Sequence, residues 1–345
     1  MSIKSIAYNS ISVANNQLGG AYSSKSARTR HGREFLDFCH FSGRSLTDIK
    51  HTKFDLLKDW ITSLKAANLN SGTINNKVAS VRALCEQRGA NLESLGLTDT
   101  AGLGVDVRNR KGTKLPVTDE IFEAAVAQAI SAHEMGFVHA LRLERFLGLR
   151  GTEAMMSTTA LKTYAKQAHL IIQSHLSPIH IIDGTKGGRP RDVAVIAQYA
   201  QQTFEAITKA LDFALKNDGF LIVGKTGTGL KGARAMYHRL ATKFGLTGVH
   251  SPHSLRYRYC VDKLLEMNAA GVPRNEALAF ASECLGHGAS RIRFVSSVYG
   301  RSVTHLLPKT TRKQNIQQVM TELTELAGYS IDAVNEDRQQ PRSTF

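Results

Sequence analysis

A few side chains between positions 150 and 299 stand out for the chemistry their types allow. Arg150 closes GLR, and Glu153 follows three residues later. Lys186 lies in the polar turn GTKGGRPR. His253 and Arg256 sit three apart after Pro252, so on a helix they share one face. His287 lies in LGHG and Tyr299 in SSVYGRS. Metal-free phosphodiester exchange needs this set. A tyrosine oxygen can attack phosphorus and hold the strand as an ester. Two guanidiniums offer paired donors to the charge that develops on the nonbridging oxygens. A lysine on a turn can protonate the departing 5′ oxygen. Histidines can take the tyrosine proton or donate a further hydrogen bond. A glutamate can orient an arginine. Each residue alone has a plainer account: a helix-end arginine, a turn lysine, a capping or core histidine, a half-buried ring. PHSLRYRYC (252–260) likewise reads as a stacking patch, a core face or a catalytic segment.

The elements that must position these groups are mostly helical. Phe35, Leu36, Phe38 and Cys39 mark one helix, and Phe54, Leu57, Trp60, Ile61 and Leu64 a second. Ile74, Val78, Val81 and Leu84 mark a third, for which Ser71 is a candidate N-cap. On that helix Asn75, Lys77 and Arg82 point elsewhere, toward solvent or a phosphate backbone. Residues 1–25 read as a polar, flexible arm, 26–105 as a small helical domain and 106–117 as a basic linker containing Arg108. Residues 118–309 read as a larger domain, with helices near 118, 135–147, 200–216, 230–244, 254–269 and 274–285. HLIIQ (169–173), IHIID (179–183) and DVAVI (192–196) read as strands, the last two joined by a basic Gly/Pro turn that carries Arg189. The tail, 310–345, holds an amphipathic stretch at Ile316, Val319, Leu323 and Leu326.

Composition agrees with a polyanionic partner. The 345 residues carry a formal charge of +15, with 44 Lys plus Arg against 29 Asp plus Glu. No apolar run is long enough to span a bilayer, and no secretion signal opens the chain. Cys39, Cys85, Cys260 and Cys284 are scattered among apolar neighbours, which suits reduced thiols in a cytoplasmic protein. His and Cys nowhere cluster at zinc-ligand spacing. GFLIVGKT (219–226) satisfies the phosphate-loop pattern to the letter. The residues before it read as a helix, its middle residues are bulky and apolar, and TGTG follows, so nucleotide binding is rejected.

GLRGTEA (148–154), GTKGGRPR (184–191), PHSLRY (252–257), LGHG (285–288) and VYG (298–300) together resemble, in order and rough spacing, the signature of the tyrosine recombinase/phage integrase family. The helical first domain is more loosely similar to that family's core-binding domain. The resemblance implies a mainly α fold: a SAM-like core-binding domain, then an α+β catalytic domain with a small antiparallel sheet. It implies that Arg150 and Arg256 clamp the scissile phosphate and that Lys186 is the general acid. It assigns His253 and His287 to the phosphate or to proton transfer, Tyr299 to nucleophilic attack and Glu153 to support. It implies site-specific recombination of double-stranded DNA by a homotetramer on paired sites, with no cofactor, metal or membrane, in the cytoplasm at the nucleoid and with accessory DNA-bending proteins in some systems. Type IB topoisomerase-like relaxation and a noncatalytic DNA-binding module are the rival readings. One spacing departs from the family: His287 to Tyr299 spans twelve residues, about one helical turn more than usual. Arg291 and Arg293 in that longer segment are candidates for DNA contact or for plain surface charge.

Overall fold

The computed structural model describes residues 2–107, 112–172, 178–185, 188–225, 227 and 229–308, without the side chains of 159 and 168–172. The chain divides into two compact units, Met1–Arg110 and Lys111–Phe345. Among the described residues no helix is long and apolar enough to cross a membrane.

The first unit packs α1 (Ile3–Leu18), α2 (Tyr22–Phe41), α3 (Phe54–Ala66) and α4 (Ser71–Gln87) around one core. The expected flexible arm is instead α1. Ser2 caps its N-terminus, and Ala7, Ile11 and Ala14, three and four apart, are buried. The many polar residues of this segment, which suggested an arm, cover the outer face and leave a narrow apolar stripe. Asn15 is buried too, donating to Lys25 O and Thr29 Oγ1 on α2. The N-cap of α4 is Asn70 rather than Ser71: Asn70 Oδ1 accepts from Thr73 N at 2.8 Å. The apolar positions read from α2, α3 and α4 do form this core, where Phe35 meets Trp60 edge-on.

The second unit contains α5 (Asp119–Ser131), α6 (Met135–Leu147), α7 (Gly151–Met156), α8 (Leu161–Ile172), β1 (Ile179–Ile181), β2 (Arg191–Val193), α9 (Ala200–Lys216), α10 (Leu230–Lys243), α11 (His253–Ala269), α12 (Arg274–Cys284) and a short α13 (Ile292–Phe294). Thr118 caps α5, with Asp119 and Glu120 in its first turn. The strands pair antiparallel, Ile179 opposite Val193 and Ile181 opposite Arg191, in a two-stranded sheet shorter than the sequence suggests. Residues 169–172 are the end of α8, not a strand. The isoleucines there continue a helix whose Leu161 and Tyr164 already face the core, and short apolar runs do not by themselves separate helix from strand. The buried Arg145 pairs with Asp262 at 2.9 Å and Asp119 at 3.1 Å, and Arg258 joins the same Asp119 at 3.1 Å. This network ties α5, α6 and α11 together. GFLIVGKT follows α9 rather than a strand, with Leu221 and Ile222 in the core. The four cysteines are buried and unpaired.

Candidate active site

The site grows from the end of α6. Gly148 caps that helix in the left-handed conformation, φ +58°, and a Cβ there would meet the Tyr259 ring at 2.5 Å. This turn delivers Arg150 to the start of α7. Glu153 Oε2 accepts from Arg150 N at 2.7 Å, and Glu153 Oε1 accepts from the Arg150 guanidinium. A helix-start carboxylate that reaches back to the preceding backbone is a common cap, and here it also aims an arginine.

α11 supplies Arg256, fully buried, whose guanidinium donates to Gly148 O and Leu285 O. Arg150 Nη2 reaches the same Leu285 O at 3.3 Å. Two cations thus converge on one carbonyl oxygen. Burial lowers the Arg256 pKa to about 10, which leaves it charged at neutral pH. His253, one turn earlier, lies 3.1 Å through Nε2 from Tyr299 Oη. The surrounding protein first, then Arg256 and Arg150, push the His253 pKa down, so its ring is neutral at pH 7 and one nitrogen can accept a proton. The half-buried His287, after α12, is pushed down to about 3 by burial and by the nearby arginines.

The long spacing before Tyr299 is taken up by a 3₁₀ turn at Ala289–Arg291, by α13 and by a π-turn at Val295–Tyr299. Gly300 N closes that last turn onto Val295 O at 2.9 Å. A π-turn absorbs extra residue length inside helical structure and is frequent at functional sites. It lands the buried Tyr299 ring against His253 (5.7 Å between centroids), Tyr257 (4.5 Å), His287 (5.5 Å) and Phe294 (5.9 Å). The Arg256 guanidinium lies 5.8 Å from the Tyr299 centroid. Arg256 Nε and His287 Nε2 are buried without hydrogen-bond partners among the described residues. Unsatisfied buried groups beside a convergent pair of arginines suit an oxyanion ligand.

The structure therefore brings Arg150, Glu153, His253, Arg256, His287 and Tyr299 together. Lys186 and Arg108 lie outside the described residues, as does the tail stretch with Ile316, Val319, Leu323 and Leu326. Of the lysines near Lys186 in sequence, Lys162 and Lys166 are exposed on α8. Arg189, Arg291 and Arg293 are exposed. Lys77 does not point to solvent: it pairs with Glu34 across α2 and α4. Arg82 is half-buried, 3.4 Å from Thr100 Oγ1. Of the PHSLRYRYC tyrosines, Tyr259 is core, donating to Ala194 O at 2.7 Å, and Tyr257 packs against Tyr299 in a tilted ring pair.

Sequence reasoning missed Arg191. It opens β2 with its side chain inward, almost fully buried, and gives Glu153 a fork of two hydrogen bonds, Nη1 to Oε1 and Nη2 to Oε2, each 2.7 Å. Its Nε donates to Cys284 O at 2.9 Å. Burial acts to raise the Glu153 pKa, but Arg191, Arg256 and Arg150 together hold it at about 2. The available signal was an arginine falling on the inward side of a strand, where an unpaired charge is too costly to bury.

Residues 104–262 match the family model described as Integrase. The matched stretch holds Arg150, Glu153, His253 and Arg256 and lies mostly within the second unit. No curated protein matches the chain. Among solved structures, the chain is similar to the Tn1549 transposon integrase in complex with transposon right-end DNA. The TM-score is 0.51 at 15% identity, covering 95% of this chain and 100% of the other. The same integrase with circular-intermediate DNA gives 0.50 at 16%, over 94% and 100%. At these identities the likeness concerns the fold: mainly helical, with a small antiparallel sheet.

Proposed function

We propose that the protein is a site-specific DNA recombinase that cuts and rejoins strands through a 3′-phosphotyrosyl link to Tyr299, with neither metal nor ATP. The observation that carries this reading is the 3.1 Å approach of Tyr299 Oη to His253 Nε2, beside the converging Arg150 and Arg256. Tyr299 Oη forms a bond to phosphorus as its proton passes to His253. The bond from phosphorus to the 5′ oxygen breaks, and that oxygen takes a proton, which this reading assigns to Lys186. Arg150, Arg256 and His287 hold the nonbridging oxygens. The energy of the broken bond stays in the tyrosyl ester, so a 5′-hydroxyl from another duplex can reverse the reaction without ATP.

On this reading the first unit is the core-binding domain, and residues 106–117 link it to the catalytic domain. DNA in complexes of the similarly folded Tn1549 integrase supports a duplex partner. Exchange between two duplexes calls for four active sites, hence a homotetramer on paired sites, at the nucleoid, with accessory DNA-bending proteins where sites must be bent.

The test is covalent capture. A DNA library with a nicked, randomised duplex is incubated with the protein, and strands retained under denaturing conditions are sequenced. Wild type should yield an adduct whose linked peptide contains Tyr299 by mass spectrometry. Tyr299→Phe should bind the selected duplex as tightly and form none. Adduct formation undiminished in that variant would dismiss Tyr299. Relaxation of supercoiled plasmid regardless of sequence would favour topoisomerase-like action.

A further inference from the structure

We infer that Arg191 is a positioning residue for strand cleavage: it holds Glu153, and through it Arg150, in register with the loop that carries His287. The inference rests on the recombinase reading. Arg191 touches both sides of the site. Its two terminal nitrogens occupy both oxygens of the fully buried Glu153, each at 2.7 Å. Glu153 Oε1 is the same oxygen that accepts from the Arg150 guanidinium. Its Nε is fixed 2.9 Å from Cys284 O, immediately before the Leu285 carbonyl that receives Arg150 and Arg256 and two residues before the His287 loop begins to turn. At Gly286, φ +65°, a Cβ would stand 2.9 Å from Arg191 Cδ, so the loop closes over the arginine stem only because no side chain is there.

The backbone of Arg191 opens β2, opposite Ile181, directly after the basic turn. One side chain thus joins three segments: the hairpin, the start of α7 and the loop after α12. Three of its five N–H groups are engaged by protein acceptors, and both terminal nitrogens face the two oxygens of one buried carboxylate. That bidentate pairing with Glu153 places Arg191 to orient the phosphate-binding groups rather than to bind phosphate itself. A lysine keeps the charge but cannot offer the fork.

The experiment uses the full chain and the duplex selected by covalent capture. Wild type, Arg191→Lys, Arg191→Ala and Glu153→Gln with and without Arg191→Ala are compared for DNA affinity, single-turnover adduct formation and thermal stability. The expected result is a cleavage rate lowered about tenfold to a hundredfold in Arg191→Ala, with DNA affinity within about twofold. The double variant should be no slower than its slower parent, because the two groups act as one unit. Arg191→Lys should fold and still cleave slowly, which keeps the test open if the alanine variant does not fold. Affinity falling in parallel with rate would make Arg191 a DNA contact and overturn the inference. So would wild-type cleavage by Arg191→Lys, or rates that merely follow the folded fraction. Wild-type protein that forms no adduct would overturn the recombinase reading itself.

Discussion

Glu153 is the residue on which the site turns, because a carboxylate with no exposed surface survives ionised only if its surroundings supply enough charge. Arg191, Arg256 and Arg150 do so, and its pKa stands near 2 although burial alone would raise it. Folding therefore favours its ionised form, and this contribution is present above about pH 4.5 and is lost as the pH falls toward 2. The histidines behave oppositely in charge but alike in direction. Burial, then Arg142, lowers the core residue His139 to about 4, and His287 stands near 3. Their unfolded forms take up protons first, so stability is lost as pH falls from 6.5 toward 4. Thermal scans should show a Tm that declines through that window, before Glu153 titrates. His139→Gln should flatten the upper part of the decline. A Tm that rises on acidification from pH 6.5 would contradict the assignment.

At the scale of elements, the candidate site is built on helix ends. Gly148 turns α6 into α7 and aims Arg150, the start of α11 presents His253 and Arg256 one turn apart, and the π-turn after α13 seats Tyr299. In the first unit α1 is a structural member of the core. Ile11 is completely buried, and both Ile11 Cδ1 and Leu84 Cδ1 would crowd any side chain placed at Gly32. Ile11→Ala should therefore cost about 2–5 kcal/mol, as for other large-to-small core changes, measured by urea denaturation. A free arm would show no change.

At the scale of the whole molecule, the +15 charge bears on the proposed DNA partner. Contacts to phosphates by Lys and Arg release counterions, so affinity should fall about a thousandfold or more between 50 and 200 mM salt if six or more phosphates are neutralised. Titration of the selected duplex at several salt concentrations measures the slope. A flat response would exclude extended backbone contact. Not every basic residue contributes. Lys77 is already committed to Glu34, and Arg145 to Asp262 and Asp119, whereas Arg189, Arg291 and Arg293 remain exposed. Neutralising those last three together should shallow the salt slope.

Helix positions with a clear three-and-four spacing, the caps at Thr118 and Gly148, and the order of the motifs were legible in the amino-acid string. These depend on neighbours within a turn or two, and periodicity reports such contacts directly. The family resemblance added the grouping of Arg150, Glu153, His253, Arg256, His287 and Tyr299, which local spacing alone leaves scattered. Three things depended on tertiary structure. α1 forms because α2 and α4 offer its thin apolar stripe a place to be buried. Residues 169–172 are helical because they continue α8, whose inward positions are Leu161 and Tyr164. Arg191 matters because the hairpin, α7 and the loop after α12 meet there. The charge balance of a buried carboxylate is a property of that meeting, since its partners lie tens of positions apart in the chain.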